Sequence, residues 1–378
     1  MEGPVPPDYE TLGPALDVIR RDAGAVDEGA FPEAGLEALK AAGLMGLAAS
    51  SSDGGSGPDP VVFAEVMASV ASACGSTAMV FLMHNCATAV IGAAPPSFDP
   101  SVVEGLASGR LLGTLAFSEK GSRSNFWAPV SKALADGDTF HLSGSKSWVT
   151  SANHADVFVA SCGAVGGDGP VASDLWVLDA ATPGLDPAGS WKGLGLRGND
   201  SGPMSMEVDA TADRRLGEPG GGFGLMMSAV LPWFNLGNAA VSVGLARGAL
   251  DAAIGHVSST SLDHLSTSLS ELPTIRAHIA RADVELRAAE ALVRETARSI
   301  AAPDDGTMAA VLAVKAGGNE TALSVSDTAM RVCGGAAFSK HLGIERAFRD
   351  ARAGYVMAPT SDVLYEFLGR ALCGLELF

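Results

Sequence analysis

Trp148 and Thr150 stand two apart in the segment K-S-W-V-T, where a β-strand would turn an indole and a hydroxyl to the same side. An aromatic plate beside a hydrogen-bond donor is suited to hold a flat, polar ring. Arg331 precedes Gly334 and Gly335, and its guanidinium is a fork of donors that suits pyrophosphate, while the glycines allow close backbone approach. An ion pair with Asp327 is the competing reading for Arg331. His84, His154, His256 and His264 are candidate proton donors. No spacing singles one out, and His154 is preferred only because it follows Trp148 closely. The glycine run Gly220 to Gly222 is read as a flexible turn, since no lysine with a Ser/Thr partner follows it as a P-loop requires.

The bulk properties narrow the chemistry further. Cys74, Cys86, Cys162, Cys333 and Cys373 are scattered, with no C-x-x-C pair, which argues against a zinc site and a disulfide framework and for a reducing compartment. No metal site is expected. The 43 acidic against 25 basic side chains leave a formal charge of −18 on 378 residues, which repels nucleic acid and anionic lipid. The first ten residues, M-E-G-P-V-P-P-D-Y-E, lack the positive charge and apolar core of a leader, so a cytoplasmic protein is expected. Pro219 to Ala246 carries no charged residue and is long enough to span a bilayer, but its glycines, Pro232, Asn235 and Asn238 suit a helix buried among others.

The elements that must position these residues fall into three zones. Apolar residues at three- and four-residue spacing predict helices over Thr11–Ala25, Phe31–Ala42, Val61–Ala73 and Ser76–Ala94. The period then changes to two, predicting strands over Leu111–Phe117, Lys132–Ala135, Thr139–Ser143, Val157–Ser161, Leu175–Leu178 and Met204–Val208. Long helices return over Leu225–Val257, Leu272–Ser299, Met308–Cys333 and Ser361–Cys373. The serine-rich run from Ser258 to Ser270 is read as a loop or helix joint. The fold class is mainly α with a central β domain between two helical layers.

Four segments, in order and at matching separations, resemble motifs of the acyl-CoA dehydrogenase family. They are L-A-F-S-E-K-G-S-R-S-N, K-S-W-V-T-S-A-N-H-A-D, G-L-G-L-R-G-N-D-S and C-G-G-A-A-F-S-K-H-L-G-I-E-R-A-F-R-D-A-R. The resemblance implies an N-terminal helical domain (1–112), a middle β barrel or sandwich (113–217) and a C-terminal four-helix bundle (218–378) that builds a homodimer or homotetramer. It also implies a flavoprotein using FAD, with FMN the lesser alternative, and a thioester lying against the flavin ring. By that resemblance Trp148 packs near the ring and Thr150 bonds it. Leu115, Phe117 and Ser118 meet its pyrimidine side, Ser124 lies near the pyrophosphate and pantetheine, and Thr360 joins the cofactor group. Glu119 belongs to the family's own pattern and is read as structural.

The chain also departs from that pattern. Lys120, Arg123 and Asn125 replace proline, glycine and aspartate of the strand-and-loop motif, and the phosphate-binding R-x-x-F-G is replaced by a stretch with Leu262, Leu265 and Ser266. Arg331, with Gly334 and Gly335, is assigned to compensate. Removing an α-proton from a thioester requires a carboxylate, and the family carries it at one of two seats. Here those seats hold Ala358 and Phe234, the latter followed by Asn235, so the substrate pocket is read as these three residues. Asp362 and Asn235 join His154 as catalytic candidates. The favoured reading is an oxygen-using flavin oxidoreductase (monooxygenase or oxidase type) acting on a CoA or carrier-protein thioester or related metabolite, served by a reductase. An α,β-dehydrogenase with a non-standard base and a flavin-poor scaffold are the alternatives. No nucleic-acid or membrane partner is expected.

Overall fold

The computed structural model describes residues 9–122, 125–169, 171–262 and 267–377. The first layer is helical: α1 (Tyr9–Asp27), α2 (Glu33–Ala41), α3 (Pro60–Ala73), α4 (Gly75–Ala93) and the short α5 (Val102–Ala107). Asp59 starts α3 by accepting the Val61 and Val62 N–H groups at 2.8 and 3.2 Å, with Pro60 in the first turn where its missing N–H costs nothing. α4 is apolar on all sides and buried along most of its length, as a helix surrounded by other elements must be.

The middle layer is a mixed eight-stranded sheet. Its strands are β1 (Gly113–Ala116), β2 (Lys132–Asp136), β3 (Thr139–Val149), β4 (Val157–Gly163), β5 (Ser173–Asp179), β6 (Leu185–Pro187), β7 (Gly202–Thr211) and β8 (Arg215–Leu216). They lie in the order β6-β7-β3-β2-β4-β5-β8, and β1 pairs in parallel with β4. β4 and β5 are buried along nearly their whole length around the apolar stretches Val157–Ala160 and Leu175–Leu178, whereas β7 alternates. Trp176, Phe158 and Leu142 fill a core of the sheet's own.

The third layer opens with α6 (Gly222–Leu225), a π-helical turn over Met226–Val230, and α7 (Leu231–Ser259). A two-stranded pair, β9 (Ser261–Leu262) and β10 (Thr267–Ser268), precedes α8 (Pro273–Ala301), α9 (Thr307–Cys333), α10 (Ile344–Val356) and α11 (Ser361–Leu372). α7 and α9 form the centre of this bundle, and α7 also packs on α3 and α4, so one large core joins the helical layers. The stretch Gly222–Ser259, like α4, is long and apolar enough to cross a membrane, and both are largely buried inside the fold. α10 approaches α9 closely at Gly354, where a Cβ would meet Asn319 Oδ1 at 2.4 Å and push that side chain aside.

Candidate active site

A cavity of about 60 Å³ lies where all three layers meet. Leu115 on β1 and Phe117 and Ser118 just beyond it supply one wall, with Phe126 from the following loop. Met83 of α4, Val230 of the π turn, Phe234 of α7 and Ala358 from the α10–α11 connection supply the others, and Trp148 stands at the edge. Phe117 and Phe126 are stacked with centroids 6.2 Å apart, and Trp127 meets Phe126 edge to face at 5.3 Å. Ser118 is the one polar side chain of the lining, and its carbonyl accepts the Ser147 N–H at 2.7 Å, tying the two walls together.

Trp148 owes its position to an irregularity in β3. The pairing of β3 with β7 runs in register to Lys146 opposite Met204 and resumes one residue out of step at Val149 opposite Gly202. This is a bulge, and Trp148 sits in it at φ +56° with 66% of its surface exposed. The extra residue cancels strand alternation, so the expectation that Trp148 and Thr150 face one ligand from the same side does not hold. Thr150 is buried beyond the end of β3, its hydroxyl 3.0 Å from the Ser201 hydroxyl and its carbonyl accepting from Thr114. It is absent from the cavity lining.

Phe234 and Ala358 line the same cavity from opposite elements, and no carboxylate accompanies them. Asn235 does not. Its side chain is fully buried toward α9, with Nδ2 donating to the Val311 carbonyl at 3.0 Å and Oδ1 unpartnered. Successive helix positions point about 100° apart, which takes the amide out of the cavity that Phe234 enters. Asp362 is exposed in the first turn of α11, and Thr360 stands at that helix's N-cap position; neither lines the cavity. His154 is exposed and stacks flat on Phe31, 3.8 Å between centroids, which removes it from the site. His256 lies at the far end of α7 beside Thr260. His84 is fully buried, accepts the Gly113 N–H at 3.0 Å, and is driven by burial down to about 4, so it is neutral at pH 7.

Among the described residues two lysines are fully buried, Lys146 and Lys315, and burial lowers Lys315 from 10.5 to about 7. Glu119 forms a buried ion pair with Lys146 and accepts from the Val130 and Ser131 N–H groups and the Ser131 hydroxyl. Burial pushes the Glu119 carboxyl up, but the Lys146 charge and the hydrogen bonds outweigh it and leave it below the usual range. Lys315 on α9 went unremarked, although it is the lone charge in the run from Thr307 to Asn319, a pattern that could have marked it. It is fully buried, it donates to the carbonyls of Gly354, Met357 and Pro359 at 3.1, 3.1 and 2.8 Å, and its ammonium lies 5.9 Å from the centre of the Phe234 ring. Met83, Phe126 and Val230 were likewise missed, because apolar lining residues look like core residues in a sequence.

Arg331, Gly334 and Gly335 form an exposed strip at the end of α9, with Gly334 at φ +56° and open space where a Cβ would lie at either glycine. Among the described residues Arg331 makes no ion pair, with Asp327 or otherwise, and none of the three reaches the cavity. Ser124, Arg123, His264, Leu265 and Ser266 lie outside the described residues.

The lining suits an isoalloxazine ring: aromatic and aliphatic walls, an exposed indole at the edge held by a bulge, and the Ser118 hydroxyl as a polar contact. The family description "Acyl-CoA dehydrogenase, N-terminal domain" matches residues 15–110, the middle domain 114–208 and the C-terminal domain 220–373. The chain is 28% identical over 363 residues to the probable acyl-CoA dehydrogenase YngJ of Bacillus subtilis, covering 94% of this chain and 93% of that one. It is 29% identical over 345 residues to the mitochondrial short-chain specific acyl-CoA dehydrogenase of Bos taurus, covering 90% and 83%. The structure of butyryl-CoA dehydrogenase from Megasphaera elsdenii superposes with a TM-score of 0.91 at 21% identity, covering 99% of this chain and all of the other.

Proposed function

The chain belongs to the acyl-CoA dehydrogenase family, and from that premise we propose that it is an FAD-dependent oxidoreductase acting on a CoA or carrier-protein thioester, or a related metabolite, in a pocket without a carboxylate base. FAD supplies two-electron redox chemistry at its ring when bound. Trp148 and Phe234 would present flat apolar surface to that ring and its ligand, and Ser118 a hydroxyl. Phe117 and Phe126 keep the wall dry, which strengthens any polar contact made inside. In the family these acyl thioesters are desaturated with the help of a carboxylate, and neither Phe234 nor Ala358 can accept a proton.

The acid-free lining carries the oxygen-using reading. In that reaction one atom of dioxygen enters the substrate and the other leaves as water, with two electrons and two protons arriving from a reduced-nicotinamide donor through a reductase. Assembly as a homodimer or homotetramer, with Arg331, Gly334 and Gly335 meeting the dinucleotide, belongs to the same proposal. The second reading, an acyl-CoA dehydrogenase with a base recruited from outside the lining, is supported by relatives that bear dehydrogenase names.

The deciding experiment is anaerobic mixing of the FAD-loaded protein with acyl-CoA. Bleaching of the visible flavin band by saturated acyl-CoA overturns the oxygen-using reading in favour of the dehydrogenase. No bleaching, together with substrate-dependent oxygen uptake once a reductase and reduced nicotinamide are added, supports it. A purified protein that takes up no flavin overturns both and leaves the scaffold reading.

A further inference from the structure

We propose that Lys315 is a positioning residue of the flavin pocket: it fastens the main chain on both sides of Ala358 and backs Phe234, and so fixes two facing walls of the cavity. The helix α10 ends at Val356, and its last carbonyls have no intrahelical partner. The chain then runs half-buried through Met357 and Ala358 and buried at Pro359 before α11 begins, where water has only limited access to those groups. Lys315 meets this need from the neighbouring helix. Its three N–H donors go to Gly354 in the last turn of α10, to Met357 immediately before Ala358 and to Pro359 immediately after it. A cation at a helix C-terminus is also favoured by the helix dipole.

The fastening is built into the α9–α10 contact. Asn319, one turn along α9, donates to the same Gly354 carbonyl at 2.9 Å, and its own Oδ1 accepts from Ser242 of α7 at 2.8 Å. A chain of polar contacts therefore crosses α7, α9 and α10 beneath the cavity. Ala358 has no side chain long enough to hold itself in place, and the walls at Phe234 and Ala358 both rest on one ammonium group. Among the described residues no carboxylate pairs with it, and its hydrogen bonds go to main-chain carbonyls.

This inference rests on the pocket being the flavin site. The test uses the full chain, reconstituted with FAD, as wild type, Lys315→Met and Lys315→Gln, with Val293→Ala of α8 as a control for general destabilisation. FAD dissociation constants and the shape of the visible flavin band are measured well below each melting temperature. Lys315→Met is expected to weaken FAD at least tenfold and to shift the band. Lys315→Gln, with two amide donors, should recover part of the affinity, and Val293→Ala should change neither. Folded Lys315→Met with wild-type affinity and band shape overturns the proposal. Where Lys315→Met fails to melt cooperatively, Lys315→Gln decides: a weaker constant and shifted band uphold it, and wild-type values overturn it. Wild-type protein that takes up no FAD overturns this proposal and the functional reading together.

Discussion

Trp148 meets Trp191 edge to face, ring centroids 5.8 Å apart and planes at 80°, and Trp191 is itself anchored by its indole N–H on the Leu196 carbonyl at 2.8 Å. The loop that carries Leu196 is held in turn by the Asp350 carboxylate, which accepts the Leu196 N–H at 2.6 Å. An exposed indole is thus braced from the C-terminal bundle through one loop. An aromatic pair of this kind contributes about 0.5–1.5 kcal/mol, so Trp191→Ala should weaken FAD binding roughly two- to tenfold. A fluorescence titration reads the effect, and Trp148→Ala should weaken it more.

Ala358→Glu places a carboxylate in the cavity opposite Phe234. Lys315 bonds the carbonyls on either side of that position; burial lowers it from 10.5 to about 7, so below pH 7 its charge would favour the ionised, proton-accepting form. General-base catalysis contributes about 10²–10⁴ in rate. Anaerobic bleaching of the flavin by saturated acyl-CoA is therefore expected to rise by about 10² over wild type in stopped-flow absorbance. No rise in a folded, FAD-loaded variant would mean that position 358 is not a base seat in this chain.

The Glu119–Lys146 pair is buried on both sides, and removing one partner leaves an uncompensated charge. Lys146→Met alone should cost about 3–5 kcal/mol in urea denaturation. Glu119→Leu combined with Lys146→Met should cost less than the sum of the single changes, since the double variant buries no lone charge.

His84 is held neutral by burial, its value lowered from 6.5 to about 4. Because the unfolded chain protonates first, the stability due to His84 is complete above pH 6.5 and is lost as pH falls through 4, with a slope of up to about 1.4 kcal/mol per pH unit. His84→Gln can still accept the Gly113 N–H and does not titrate. Its stability should fall less steeply than wild type between pH 6.5 and 4, measured by urea melts; equal slopes would place the titration elsewhere.

The sequence pattern carried the long elements well, since α3, α4, α8 and α9 were expected within a residue or two of where they lie. Burial on all sides explains why α4 and α7 looked apolar without a clear polar face. The strand expected over Thr139–Ser143 runs on to Val149 and so joins the segment that carries Trp148, and Lys146 is buried within it because Glu119 pairs with it. α10 was missed because its apolar residues are few and its Arg349 and Asp350 serve ion pairs and a backbone contact with other layers. At the site, Phe234 and Ala358 were legible as facing seats, but the alternation rule misplaced Thr150, since a one-residue bulge leaves no mark on composition. Lys315 illustrates the converse: a lone charge in an apolar run is visible, while the three carbonyls it serves are set by tertiary structure.

The π turn at Met226–Val230 puts one surplus residue into an otherwise α-helical stretch running from Gly222 to Ser259. Upstream of it the helix answers to the sheet, where Gly222 packs its backbone against Ser173, and downstream it answers to the bundle through Phe234 and its neighbours. The surplus decouples the two phases, so that each half can rotate to satisfy its own neighbours without dragging the other round. A lineage that deleted a single residue there would regularise the helix and re-aim Val230, which lines the cavity, relative to the contacts that α7 makes downstream.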